Sequence, residues 1–158
     1  MKVAIIGAGP RGLWAAEALM ERARQRGAQI DLTVFSDAPR TELSAPGAFG
    51  ESVPEQWILN APKTIVETQL GPLDPDDELD GMFPPRRRVG EHLEASWDAL
   101  EKHLPPRCTV DFRFESIDML DPVDGGVEVA GETFAEAIVT TGHAHDWPGS
   151  LAHEDLGD

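Results

Sequence analysis

Gly7-Ala8-Gly9-Pro10-Arg11-Gly12 constrains the fold of this chain more than any other segment. Ahead of it, Val3-Ala4-Ile5-Ile6 is an unbroken apolar run, the pattern of a strand buried on both faces. Behind it, Leu13 to Arg26 predicts a helix, with Leu13, Ala16, Met20 and Ala23 on one apolar face. In the sequence strand, Gly-x-Gly-x-x-Gly, helix, each glycine has a mechanical reason. Gly7 permits the tight turn, Gly9 lets backbone approach a pyrophosphate, and Gly12 lets helix and strand pack closely. The helix amino terminus adds free N–H groups and the positive end of its dipole.

Arg22, Arg24 and Arg26 crowd the end of that helix, where cations suit the negative pole of the dipole, and Gly27 terminates it. Ile30 to Phe35 reads as a second parallel strand, completing a βαβ unit. The expected fold class is therefore α/β with a parallel sheet.

From Asp37 to Pro85 the periodicity breaks. Eight of the thirteen prolines fall there, which predicts a loop-rich insertion over 39–85 that covers a ligand or carries its own small unit. Within it, Asp74 to Asp80 lacks the glycine and distal glutamate of a calcium loop and reads as a solvated turn. Gly90 to Leu104 predicts a second helix with Leu93, Trp97 and Leu100 on one face, stopped by Pro105-Pro106. Thr109 to Phe114 alternates as a strand. Ser116 to Leu120, a turn at Asp121 to Gly126, Val127 to Ala130 and a turn near Gly131 then read as a meander. Glu136 to Thr140 is the last strand and ends in Thr141-Gly142.

Charge narrows the ligand class. Of thirteen basic and twenty-nine acidic residues, six and four lie within residues 1–40, so the first unit carries +2 and the remainder −18 of a total of −16. Such an acidic surface repels nucleic acid and anionic lipid, whereas a locally basic glycine turn suits a small polyanion. No apolar run approaches the length of a membrane span, and the amino terminus does not read as a signal peptide. With Cys108 as the sole cysteine, no internal disulfide forms, and a cytoplasmic location is expected.

Four segments occur in an order that resembles a known family. They are Val3 to Leu13, Leu59-Asn60-Ala61-Pro62, Pro85-Arg86 leading to Gly90-Glu91-His92-Leu93, and Ala137 to His143. Together they resemble the FAD/NAD(P)-binding proteins related to flavin monooxygenases and to lysine or ornithine N-hydroxylases. The resemblance implies a Rossmann-type FAD/NAD(P)-binding domain over residues 1–158, with a β-meander crossover and the proline-rich insertion. It implies FAD on Gly7, Gly9, Pro10, Arg11 and Gly12, with Thr141 and Gly142 beside the adenosine or pyrophosphate. Asn60 would reach toward the flavin, and Arg86 would contact the ligand or cap structure. NAD(P)H would be the reductant, and the cofactor would carry the chemistry, since no acid, base or nucleophile stands out.

Two departures from the family pattern keep alternatives open. The second strand is expected to end in an acidic residue that holds the adenosine ribose, but that position falls on Ser36, with Asp37 one residue later. Ser36 with Arg40 also suits a 2′-phosphate, which admits a short NADP-dependent reductase. Relatives are much longer and carry a second nucleotide site, so the chain reads as a partial version of that architecture. A non-catalytic dinucleotide-binding module, a homo-oligomer, or a half-enzyme completed by a partner chain fit the same residues. His143, His145, Asp146 and His153 read as a polar tail rather than a metal site. Trp14, Trp57, Trp97 and Trp147 read as packing residues, and Glu91, Glu94 and Asp98 as a solvated helix face.

Overall fold

The computed structural model describes residues 1–37, 49–50 and 53–142. Its centre is a four-stranded, all-parallel sheet in the order β5-β2-β1-β9. Strand β1 spans Lys2–Ile6, β2 Asp31–Ser36, β5 Thr109–Phe114 and β9 Glu136–Val139. Helix α1, Pro10–Arg26, joins β1 to β2, and α2, Arg86–Lys102, precedes β5. Between β5 and β9 lies an antiparallel meander of β6 (Asp121–Val123), β7 (Gly126–Val129) and β8 (Glu132–Phe134). The proline-rich stretch contributes a short 3-10 turn at Lys63–Ile65 and a hairpin of β3 (Glu67–Thr68) and β4 (Gly71–Pro72).

The apolar run of β1 follows from its burial on both faces. Val3 and Ile5, with Leu32 and Val34 of β2, join Leu13, Ala16 and Met20 of α1 and Leu93, Trp97 and Leu100 of α2 in one core. Ala4 and Ile6, with Phe35, join Val129 and Phe134 of the meander in a second core on the opposite face. Side chains that alternate along each strand thus serve two layers. Phe35 meets Phe134 edge-on at 6.0 Å between ring centroids, and Trp97 meets Phe112 at 5.0 Å.

Local sequence explains the helix boundaries. Pro10 occupies the first turn of α1, where its missing N–H costs nothing, so the helix starts three residues before the expected Leu13. Gly27 ends it in the left-handed region at φ 60°, and its N–H bonds the last turn. Helix α2 likewise begins earlier than expected, at Arg86 directly after Pro84-Pro85, and ends at Lys102. The meander differs more. Ser116 to Leu120 carries no strand, and β6 lies on Asp121–Val123, where a turn was expected. Pro122 is tolerated because β6 pairs on one side only, with β7.

The acidic turn differs from the solvated surface expected of it, and a second polar cluster was not anticipated. Asp74 has a buried carboxylate that accepts Lys63 Nζ at 2.6 Å and the backbone N–H groups of Glu78 and Leu79. The Lys63 contact holds its pKa below the ordinary range, so the acidic turn is built around a fixed ion pair. Glu17 of α1 is buried, and its carboxylate accepts the Gln69 N–H at 2.9 Å, joining helix to hairpin. Burial pushes its pKa up, while the Gln69 bond partly offsets the shift.

The meander is tied to the sheet by charge. Glu132 accepts Lys2 Nζ of β1 at 2.8 Å and Arg113 Nη1 of β5 at 2.7 Å. The Lys2 and Arg113 bonds lower its pKa from an ordinary 4.5 to about 2. A depressed carboxylate pKa contributes stability that is fully present above the unfolded value and lost as pH falls through the folded one. Stability from this group is therefore expected to fade between pH 4.5 and about 2. Thermal melts of wild type and Glu132→Gln across that window are expected to converge as pH falls; a constant separation rules the contribution out.

Two tryptophans are less buried than expected: Trp14 is 44% and Trp57 52% exposed. Trp14 still packs against the hairpin, donating its indole N–H to Glu67 O at 3.1 Å. Glu94 is half-buried rather than solvated. Trp147, Arg40, His143, His145, Asp146 and His153 lie outside the described residues.

Candidate functional site

Strands β2 and β9 flank β1 on opposite sides, so the chain changes direction across the sheet at the carboxyl end of β1. In open α/β sheets this is where ligands bind. The glycine turn sits there. A crevice of about 90 Å³ opens beside it, lined by Ile6 at the end of β1, Gly7 of the turn, Phe35 and Ser36 at the end of β2, Asp37 after it, and Thr141 after β9. Its remaining wall is Glu115, Ser116 and Ile117, which follow β5. The strand ends that the sequence placed around a ligand therefore converge on one crevice. Its volume suits one end of a dinucleotide, since a complete ligand pocket runs from roughly 300 Å³ upward.

The three glycines separate by what surrounds them. Gly7 has φ +104°, and a Cβ there meets Thr140 O at 2.6 Å. A Cβ on Gly12 meets Gly7 O at 2.1 Å. Both glycines are required by the protein's own packing. Gly9 differs: its φ is −67°, open to any residue, and a Cβ there meets nothing within 4 Å among the described residues. No described group fills the space above Gly9, and the glycine leaves it clear for a ligand.

Hydrogen bonding orients the turn toward an anion. Gly7 N–H donates to Phe35 O at 2.8 Å, and Leu13 N–H to Gly9 O at 3.0 Å. Thr140 Oγ1 lies 2.7 Å from Gly7 O and 3.0 Å from Ile6 O, sharing its one hydroxyl proton between them. Trp97 Nε1 donates to Ala8 O at 3.0 Å. The turn's carbonyls are thus held by protein donors. The N–H groups of Ala8, Gly9, Arg11 and Gly12 bond no other described residue. No described side chain caps the helix, and its first turn holds no acidic residue. Free amides at a helix amino terminus are suited to a diphosphate, and the open space at Gly9 gives it room, so these residues fit a dinucleotide.

The other predicted residues divide. Ser36 is buried and Asp37 exposed, and both line the crevice. Thr141 lines it too, with Gly142 adjacent at φ 79°. Arg11 is exposed on the first turn of α1. Asn60 is exposed and outside the crevice wall, although its neighbour Leu59 packs on the core that holds Ala8. Arg86 is half-buried, donates Nε to Ile58 O at 3.1 Å and stacks on Phe49. It therefore fastens the Asn60 segment to α2. Thr140 and Trp97 were not anticipated as partners of the turn. Thr140 is legible only as the neighbour of Thr141, and nothing local marks Trp97.

Residues 4–144 match the family described as FAD-NAD(P)-binding. The chain belongs to that family. Among solved structures, the FAD-NAD(P)-binding chain is similar to S-allyl-L-cysteine S-oxygenase from Allium sativum, at 21% identity and a TM-score of 0.57. The match covers 90% of this chain and 36% of the oxygenase, and at that identity it establishes the fold. No curated protein matches the chain. No helix among the described residues is long and apolar enough to cross a membrane.

A larger cavity of about 210 Å³ lies away from the strand ends, among Glu17, Gln69, Leu70, Ser96, Leu100 and His103. Its polar groups bond one another: Ser96 Oγ lies 2.8 Å from Thr68 Oγ1, and Glu17 receives Gln69. His92 lies 3.3 Å from Thr68 Oγ1, and burial lowers its pKa.

Proposed function

We propose that this chain is the FAD-binding portion of a flavin-dependent, NAD(P)H-using oxidoreductase of the monooxygenase-like group. The observation that carries the reading is Gly9, which no backbone strain or described neighbour requires, set at a helix amino terminus among amides that bond no other described residue. In this reading Ala8, Gly9, Arg11 and Gly12 donate backbone N–H groups to the diphosphate. Ser36 or Asp37 takes the adenosine ribose, and Thr141 and Gly142 close the same end. The Asn60 segment, held by Arg86, extends toward the isoalloxazine side. Bound flavin supplies hydride and oxygen chemistry, and the chain supplies binding, orientation and exclusion of water.

A second reading is a dinucleotide-binding module without its own catalysis, or a half-site completed by a partner. The crevice of about 90 Å³ favours it, because ligand affinity depends on burying most of the ligand surface. The Allium oxygenase is also far longer than this chain, which matches 36% of it.

An absorbance spectrum of freshly purified protein, followed by titration with FAD and with NADPH, tests both readings. Flavin bands or saturable FAD uptake support the first reading, and NADPH oxidation by the loaded protein extends it to catalysis. FAD uptake without turnover favours the module. NADPH binding tighter than FAD binding favours the NADP reading of Ser36, and binding of neither overturns all three.

A further inference from the structure

The trans peptide unit is planar, so the C=O of one residue and the N–H of the next point in opposite directions. Whatever holds a turn carbonyl therefore also aims the following amide. Thr140 holds Gly7 O and so aims Ala8 N–H. Trp97 holds Ala8 O and so aims Gly9 N–H. Gly9 stands on one side of the second peptide, and glycine accepts either orientation of φ, so this unit has little intrinsic resistance to flipping. A flip would turn Ala8 O toward the space above Gly9 and Gly9 N–H away from it.

We propose that Trp97 is a positioning residue for the diphosphate site: its indole N–H locks the Ala8–Gly9 peptide with the Gly9 amide facing the ligand. The proposal rests on the dinucleotide reading above. Trp97 is suited to this role because it is itself fixed. It is 1% exposed, packs edge-on against Phe112 of β5, and sits on α2 among the residues that cover β1 and β2. Its donor reaches the turn across 89 residues of sequence. An indole N–H donates and never accepts, so it cannot stabilise the flipped peptide, in which the amide would face it.

Trp97→Phe removes the donor and keeps an aromatic ring. The measurement is competition of ADP and of adenosine, which lacks the diphosphate, against FAD bound to the full chain. Trp97→Phe is expected to weaken ADP by roughly tenfold, the scale of one lost hydrogen bond, and to leave adenosine within about twofold. Equal weakening of both means that Trp97 only supports the fold and overturns the proposal. Unchanged ADP affinity overturns it as well, while leaving the dinucleotide reading intact. A wild-type chain that binds neither FAD nor ADP removes both. Should Trp97→Phe fail to fold, the wild-type indole N–H resonance is the readout. It is expected to shift with ADP and not with adenosine, and the same response to both overturns the proposal.

Discussion

A single methyl group at Gly12 is expected to destabilise the fold by on the order of 3 kcal/mol, the upper end of overpacking. Gly12 lies inside α1, where alanine is ordinarily the better residue by about 1 kcal/mol. Helix propensity and packing thus predict opposite signs for Gly12→Ala, and the geometry decides between them. The added carbon would sit 2.1 Å from Gly7 O, a backbone atom at the end of β1 rather than the tip of a flexible side chain. Relief requires α1 to withdraw from the strand. That movement strains the Thr140 bond to Gly7 O and the Trp97 bond to Ala8 O together. Against a typical total stability of about 5–15 kcal/mol, the loss is large. Urea denaturation is expected to show a lower midpoint with an unchanged slope. A midpoint equal to or above wild type would mean that α1 and β1 are not in close contact at this turn.

Much of this architecture was legible because it is written in local periodicity. The apolar run Val3 to Ile6 announced a strand covered on both faces, and Val3/Ile5 and Ala4/Ile6 do divide between two cores. The apolar faces of α1 and α2 were readable for the same reason, and both are buried as spaced. Strand ends were less legible. Asp121-Pro122-Val123 has turn composition, yet it forms β6, because an edge strand needs only one partner and Pro122 lies on that edge. Trp14 and Trp57 have the side chains of core residues but remain about half exposed. Size and apolarity alone do not determine burial; the packing of neighbouring elements does.

The crevice shows the same division. Gly7, Gly9 and Gly12 were read from spacing, Ser36 and Asp37 from the end of the second strand, and Thr141 from the family resemblance; of these, Gly7, Ser36, Asp37 and Thr141 line the crevice. The groups that orient the turn were not. Trp97 is one of four tryptophans, and its bond to Ala8 O depends on how α2 packs over β1. Such a contact has no signature in sequence distance. Asn60 and Arg86 came from resemblance alone, and Arg86, expected to contact the ligand or cap structure, donates to Ile58 O in the segment that leads to Asn60.

Gly9→Val is expected to have the opposite phenotype to Gly12→Ala: nearly normal stability with dinucleotide affinity reduced by at least about 100-fold, or roughly 2.7 kcal/mol. Gly9 precedes α1 in an extended conformation, φ −67° and ψ −172°, which valine adopts without strain. Among the described residues, a Cβ there has no atom within 4 Å to collide with. The cost to the fold is limited to helix capping, where valine is poorer than glycine by about 1 kcal/mol or less. In the proposed reading, the space that valine fills is the space a phosphate needs in order to reach the Gly9, Arg11 and Gly12 amides. Denaturation and FAD titration of the same preparation separate the two effects. A folded Gly9→Val that takes up FAD like wild type would place the diphosphate elsewhere and leave the open space at Gly9 without a ligand to explain it. A folded variant that has lost FAD would establish that Gly9 is kept for the ligand and Gly12 for the fold, two different physical demands met by the same residue type three positions apart.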